Sequence, residues 1–257
     1  MAHELNKPQV PEVRQVPAKN AWMWTVKGFE LFRENPAMLI ILLLIYLAII
    51  IPISLVPLVG SILSALIAPI FSAGLMWGCQ ALYKKQDLEI NHLFDGFKHN
   101  VSQLIAIGGF YMLSLLIIAI FVVMSLDKPT VEMLMKGRTV TSEQANAMLL
   151  PILTAMFLLV PVLMAYWYAP VLASLHNLSA INAMKLSFKA CVKNFIPFFL
   201  YSLIFMVLVS LALIPAGLGL IVVMPLLMTS LYISYRDIFN IDPAPVPEPA
   251  STPAIGD

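Results

Sequence analysis

The sequence predicts an all-α, polytopic membrane protein. Six transmembrane helices are expected, as three repeats of an interfacial amphipathic helix plus a transmembrane hairpin. Three observations predict this. The 257 residues are 60% hydrophobic and only 11% charged, where soluble domains run at about 25% charged and about 45–50% apolar. Several uncharged runs approach or exceed the roughly 20 residues needed to span hydrocarbon. An aromatic, then Phe or Cys, then Asn, spaced by three residues, occurs three times, each time just before an apolar run. The runs are continuous and do not alternate over about ten residues, so helices are expected and not a β-barrel.

The elements follow in order. Residues 1–19 are polar, lack an apolar signal-peptide core and are expected to form a disordered cytoplasmic tail. The first span then targets the chain itself. A membrane domain is expected over 20–239, with repeats at about 20–83, 88–176 and 180–239. Its spans fall at about 37–56, 58–82, 101–126, 148–176, 195–214 and 218–235. Pro52, Pro69, Pro151, Pro161, Pro170 and Pro225 lie within or near spans, where a ring removes a backbone donor and kinks the helix. Residues 240–257 carry proline at nearly every second position and read as an extended, solvated cytoplasmic tail.

Charge sets the expected orientation. Twelve of the fifteen lysines and arginines fall in the N-terminal segment, after the second span, after the fourth and after the sixth. Only Lys128, Lys136 and Arg138 fall on the other side. The positive-inside rule then puts both termini in the cytoplasm. Cys79 and Cys191 have no motif spacing and are expected on that reducing side, without a disulfide or structural zinc.

The repeat is read by aligning Asn35 with Asn100 and Asn194. Phe29 then meets Phe94 and Phe188, Phe32 meets Phe97 and Cys191, and Arg33 meets Lys98. "LVPLVG" (55–60) answers "LIPAGLG" (213–219), each a tight outer turn. Pro69 answers Pro225, with Pro170 as the middle copy's equivalent. The interval between the second and third asparagines is longer, and most of the excess lies in the outer segment 127–147. That segment is expected to be partly helical, with Thr141 and Gln144 as a capping box. The three asparagines are expected as joints that end each flat helix or cap the next.

Two pre-hairpin helices show a polar and an apolar edge. Lys27, Glu30 and Glu34 oppose Trp22, Val26 and Phe29. Lys185, Lys189 and Lys193 oppose Ile181, Phe188 and Val192. Such helices lie in the headgroup region, lysines toward phosphates and aromatics toward acyl chains. Lys185, Lys189 and Lys193 are the candidate lipid-headgroup contacts; ordinary positive-inside anchoring is the alternative.

The triplicated "F-x-x-F-x-x-N" and hairpin, the "LFDGF" loop and the "AP" kink resemble a family of uncharacterised bacterial inner-membrane proteins. These are similar to the membrane domain of glycerophosphoryl diester phosphodiesterases. The resemblance spans roughly residues 21–239. It implies a fold and an inner-membrane location, and no catalytic residues, since the phosphodiesterase barrel is absent from this sequence.

A search for chemistry finds few candidates. No Asp, Glu, Lys or Arg falls within the expected spans, which disfavours ion-coupled transport. His92, Asp95 and His99 share a helical face, but α-helical spacing sets the two imidazoles about 10 Å apart, too far for one ion. His176 reads as an interfacial side chain. Gly74 and Gly78 form a small-residue face for packing within the chain or between two copies. Trp77 and the run 166–168, "YWY", read as an aromatic belt. No metal or cofactor is expected, and no nucleic acid.

The expected role is non-catalytic and accessory, in lipid interaction, membrane organisation or support of another membrane protein. An uncoupled transporter or lipid-handling protein with a cavity between hairpins is the alternative. An intramembrane enzyme lacks candidate residues.

Overall fold

The computed structural model describes residues 10–136 and 141–241. The described residues are all-helical. In chain order they form α1 (Asn20–Glu34), α2 (Pro36–Ser54), α3 (Val59–Tyr83), a 3-10 helix (Ile90–Phe97) and α4 (Val101–Ser125). Then come α5 (Lys128–Met135), α6 (Ser142–Tyr166), α7 (Ala169–Leu175), α8 (Ala180–Lys193), α9 (Phe195–Leu213) and α10 (Leu220–Ile238). Six helical stretches are long and apolar enough to cross a membrane: α2, α3, α4, α6 with α7, α9 and α10.

Local chemistry sets the helix ends. Asn35 stops α1 and caps α2, its side chain accepting the Met38 amide at 3.1 Å. Pro36 opens α2, where a missing amide costs nothing and the fixed φ suits a helix. The turn after α2 passes through Leu58 at φ 63°. A Cβ at Gly60 would fall on the Ile53 carbonyl, so only glycine lets α2 and α3 close this tightly. The turn between α9 and α10 passes through Ala216 and Gly217, both at positive φ. The expected capping box is present: Thr141 accepts from the Gln144 amide and donates its own amide to the Gln144 side chain at 3.1 Å.

The fourth span is broken, not merely kinked. α6 ends at Tyr166 and α7 starts at Ala169. Pro170 has no amide to offer the Tyr166 carbonyl, so the ladder cannot continue. The Ser187 hydroxyl enters the gap. It accepts the Tyr168 amide at 2.9 Å and donates to the Met164 carbonyl at 2.7 Å. A side chain thereby stands in for one helical hydrogen bond.

The core lies toward the end of the bundle that carries both termini. Pro69, Pro170 and Pro225 are all buried; Pro69 and Pro225 each open the buried part of their span, and Pro170 lies within a buried run that starts at Tyr168. α3 and α10 are the most buried spans, and α10 packs against α1, α2, α3 and α9. Trp24, Leu93, Ile107, Tyr168 and Leu172 are wholly buried there. The other halves of the spans are largely bare. Met124 is 81% exposed and Phe157 77%, which a soluble protein would have to cover and hydrocarbon accepts.

Two expectations change. Residues 10–19 are not a disordered tail but a packed strap. Val13 and Val16 are buried, and the Arg14 amide donates to the Ile238 carbonyl at 2.9 Å. Two valines and remote partners hold it, and the partners are not visible in local composition. The 166–168 run is also not simply an aromatic belt. The helix break turns Tyr168 inward, where its hydroxyl meets Ser234 at 2.7 Å. The expectation for 242–257 lies outside the described residues.

Candidate functional site

α8 buries Ala180, Ala183, Ser187, Ala190 and Cys191 on one side. These small residues let it pack closely against α6 and α7. Lys185, Lys189 and Lys193 are exposed on another side, and so are Ile181, Phe188 and Val192. The three lysines are not equivalent. Lys193 donates to the Val13 carbonyl at 2.8 Å and so anchors the strap. Lys185 stands on the rim of a groove of ≈ 450 Å³ whose walls include Phe110, Leu113, Ile117 and Phe188. The groove is bounded by α4, α6 and α8, joining an apolar trough to a cation. On α1, Trp22, Val26 and Phe29 are likewise exposed, while Trp24, Gly28, Leu31 and Phe32 are buried.

The asparagines sit at the entries to three spans but have different partners. Asn35 caps α2. Asn100 takes a left-handed conformation, φ 55°, and its amide donates to the Ala173 and Leu178 carbonyls, each at 2.9 Å. It pins the chain where the fourth span leaves the bundle. Asn194 accepts the Val16 amide at 2.8 Å and donates to the Arg14 carbonyl at 3.0 Å, clamping the strap.

Asp237, in the last turn of α10, was not legible as a site residue. Its carboxylate accepts from Arg14, from Asn20 at 2.7 Å and from Trp24 at 2.8 Å. One acidic side chain thus ties the strap, α1 and α10 together. Its position beside Arg236, at the end of an otherwise uncharged span, is the sequence signal that could have found it.

The remaining candidates settle into structural roles. The Gly74 and Gly78 face is filled from within the chain by residues 88–93. His92 bonds the backbone of Glu89, and His99 bonds the Asp95 carbonyl and stacks on Trp77. Among the described residues no group of three or more His, Cys, Asp or Glu is placed to hold a metal ion. His176 bonds the Tyr235 hydroxyl, and burial lowers its pKa. Cys79 and Cys191 are free thiols, both buried.

The chain is similar to a probable inner membrane protein of Burkholderia thailandensis. The two are 29% identical over 93% of this chain and 97% of that protein. No family model matches the chain. No solved structure matches it significantly. The six membrane-length helices make the chain a polytopic membrane protein, and the relative's name supports an inner-membrane location.

Proposed function

We propose that this chain is a non-catalytic inner-membrane protein with an accessory role, binding anionic phospholipid along α8. The observation that carries the reading is the groove beside Lys185. Its apolar walls fit an acyl chain, and the lysine on its rim fits a phosphate. Lys189 adds charge on the same edge. Ordinary anchoring needs lysines near the interface but no groove.

Three repeats are part of this proposal. The buried prolines Pro69, Pro170 and Pro225 support them, as do the asparagines at three span entries. The exposed apolar stripes on α1 and α8 support helices lying in the headgroup layer. Cytoplasmic termini rest on the distribution of lysine and arginine. The likeness to the membrane domain of glycerophosphoryl diester phosphodiesterases rests on sequence motifs alone, and no phosphodiesterase activity is carried over.

Native mass spectrometry of the protein released from mixed-lipid nanodiscs tests the reading. The double variant Lys185→Glu, Lys189→Glu should retain phosphatidylglycerol less than the parent does, with phosphatidylethanolamine unchanged. Equal phosphatidylglycerol retention rejects a lipid site on α8. Reporter fusions after residue 241 test the orientation: a fluorescent-protein fusion should fluoresce and an alkaline phosphatase fusion should be inactive.

The lipid-handling alternative is favoured by a second apolar cleft of ≈ 360 Å³ between α6 and α9, lined by Leu163, Trp167, Phe198 and Ser202. It predicts lipid transfer between vesicle leaflets after reconstitution, which the accessory role does not.

A further inference from the structure

We infer that the cleft between α6 and α9 binds an ester-linked membrane lipid, with the indole Nε1 of Trp167 donating to an ester carbonyl. This deepens the lipid-handling alternative, on which it rests for the cleft, and it does not require lipid transfer.

Trp167 follows α6 at the helix break, and its backbone amide donates to the Leu163 carbonyl at 2.9 Å. Its side chain is not satisfied. Nε1 is closed to water and has no hydrogen-bond partner among the described residues. Nearly all buried donors in native folds are paired, because an unpaired one carries the full cost of losing water. Hydrocarbon around a span offers no water to relieve that cost.

The other donors lining the cleft are spent. The Ser202 hydroxyl donates to the Phe198 carbonyl at 2.9 Å, and the Cys191 thiol donates to the Met164 carbonyl at 3.6 Å. Among the described residues lining the cleft, the indole is the donor left for a ligand, and none is charged. The cleft therefore suits a neutral acceptor and not a phosphate.

Depth selects which neutral acceptor. The cleft runs along α9 from Phe195, its first residue, to Ser202, about 10 Å further along the axis. It starts where the span enters the bilayer and reaches into hydrocarbon. At that boundary a glycerolipid carries its ester carbonyls, between the headgroup layer and the acyl chains. Leu163, Phe198 and Phe199 line the ≈ 360 Å³ that would take the upper part of a chain. Phe195 and Phe199 are 54% and 53% exposed, so little packing resists their moving aside as a carbonyl reaches Nε1.

The test uses the full chain in dodecyl maltoside. It is titrated with dioleoyl phosphatidylcholine and with the diether analogue, which has the same chains and headgroup but no carbonyls. Native mass spectrometry reads the first bound lipid. The ester should bind saturably and about five-fold or more tightly than the ether. Trp167→Phe keeps a ring but removes the donor, and it should bind the two lipids alike. Ser202 is exposed on α9, so Ser202→Trp fills the cleft without touching the core and should also abolish the ester preference. Lys185→Glu with Lys189→Glu should leave that preference intact, which separates this cleft from the α8 groove. Equal binding of ester and ether by the parent, or an ester preference kept by Trp167→Phe or by Ser202→Trp, overturns the site. An ester preference without transfer between leaflets keeps this site and rejects the transfer reading; transfer without an ester preference does the reverse.

Discussion

The Ser187 hydroxyl accepts the backbone amide of Tyr168 at 2.9 Å, across from one helix to another. The same hydroxyl donates to the Met164 carbonyl, so one serine repairs the break that Pro170 forces. Ser187→Ala would leave the buried Tyr168 amide unsatisfied, while the Met164 carbonyl would keep only the weak Cys191 thiol donor at 3.6 Å. The expected cost is about 1–3 kcal/mol, measured as a lower melting temperature in detergent. An unchanged melting temperature would show that water or a backbone shift replaces the bridge.

α1 crosses α10 at Gly28. The Gly28 carbonyl accepts from Thr229 at 2.8 Å, and a Cβ at Gly28 would fall on the Ser230 backbone. Gly28→Ala should therefore destabilise the fold by about 1–3 kcal/mol, although alanine favours a helix by about 1 kcal/mol. Gly109→Ala is the control. Its Cβ would meet only the Leu66 side chain, at 3.9 Å, and it should be neutral or stabilising.

Asn194 and Asp237 hold the strap from two sides. Asn194→Ala removes the bonds to Val16 and Arg14, and Asp237→Asn removes the charge facing Arg14. Trypsin should cut after Arg14 and Lys19 faster in either variant than in the parent. Equal cleavage rates would mean that Val13 and Val16 hold the strap without these polar bonds.

His176 makes stability fall in acid. Burial lowers its pKa below the ordinary 6.5. As pH falls beneath 6.5, the unfolded chain takes up the proton before the folded one does, and stability is lost. Above 6.5 both states are neutral and this group contributes no pH dependence. The melting temperature should drop between pH 7.5 and pH 5.5, and His176→Gln should drop less.

Burial pushes the Cys191 thiol up to about 12. At neutral pH the thiolate is scarce and shielded, so alkylation is slow. Maleimide at pH 7.5 should label neither Cys191 nor Cys79 until the protein is denatured. Rapid labelling of the folded protein would place Cys191 in a more open environment.

Much of the fold was legible because its signals are local. Uncharged runs give spans, Asn35 followed by Pro36 gives a helix start, and Thr141 with Gln144 gives a cap. The site was harder to read. Lys185, Lys189 and Lys193 look alike at four-residue spacing, yet Lys193 is taken by the strap and Lys185 alone stands on the groove. The strap itself was missed, because its partners lie at 193–194 and 237–238, far along the chain. Asp237 was passed over because a lone carboxylate at a helix end is ordinarily solvated.

The sequence by itself determined the class, the number of spans and the approximate ends of most spans. Hydrophobic run length and capping chemistry act over a few residues, and the bilayer leaves helices as the form for such runs. Only the tertiary structure decided that residues 10–19 pack, that Tyr168 turns inward and that Ser187 bridges the broken helix. It also decided which of three lysines meets an apolar groove. Each of these depends on contacts between distant parts of the chain, and periodicity carries no record of which distant side chain fills a given gap.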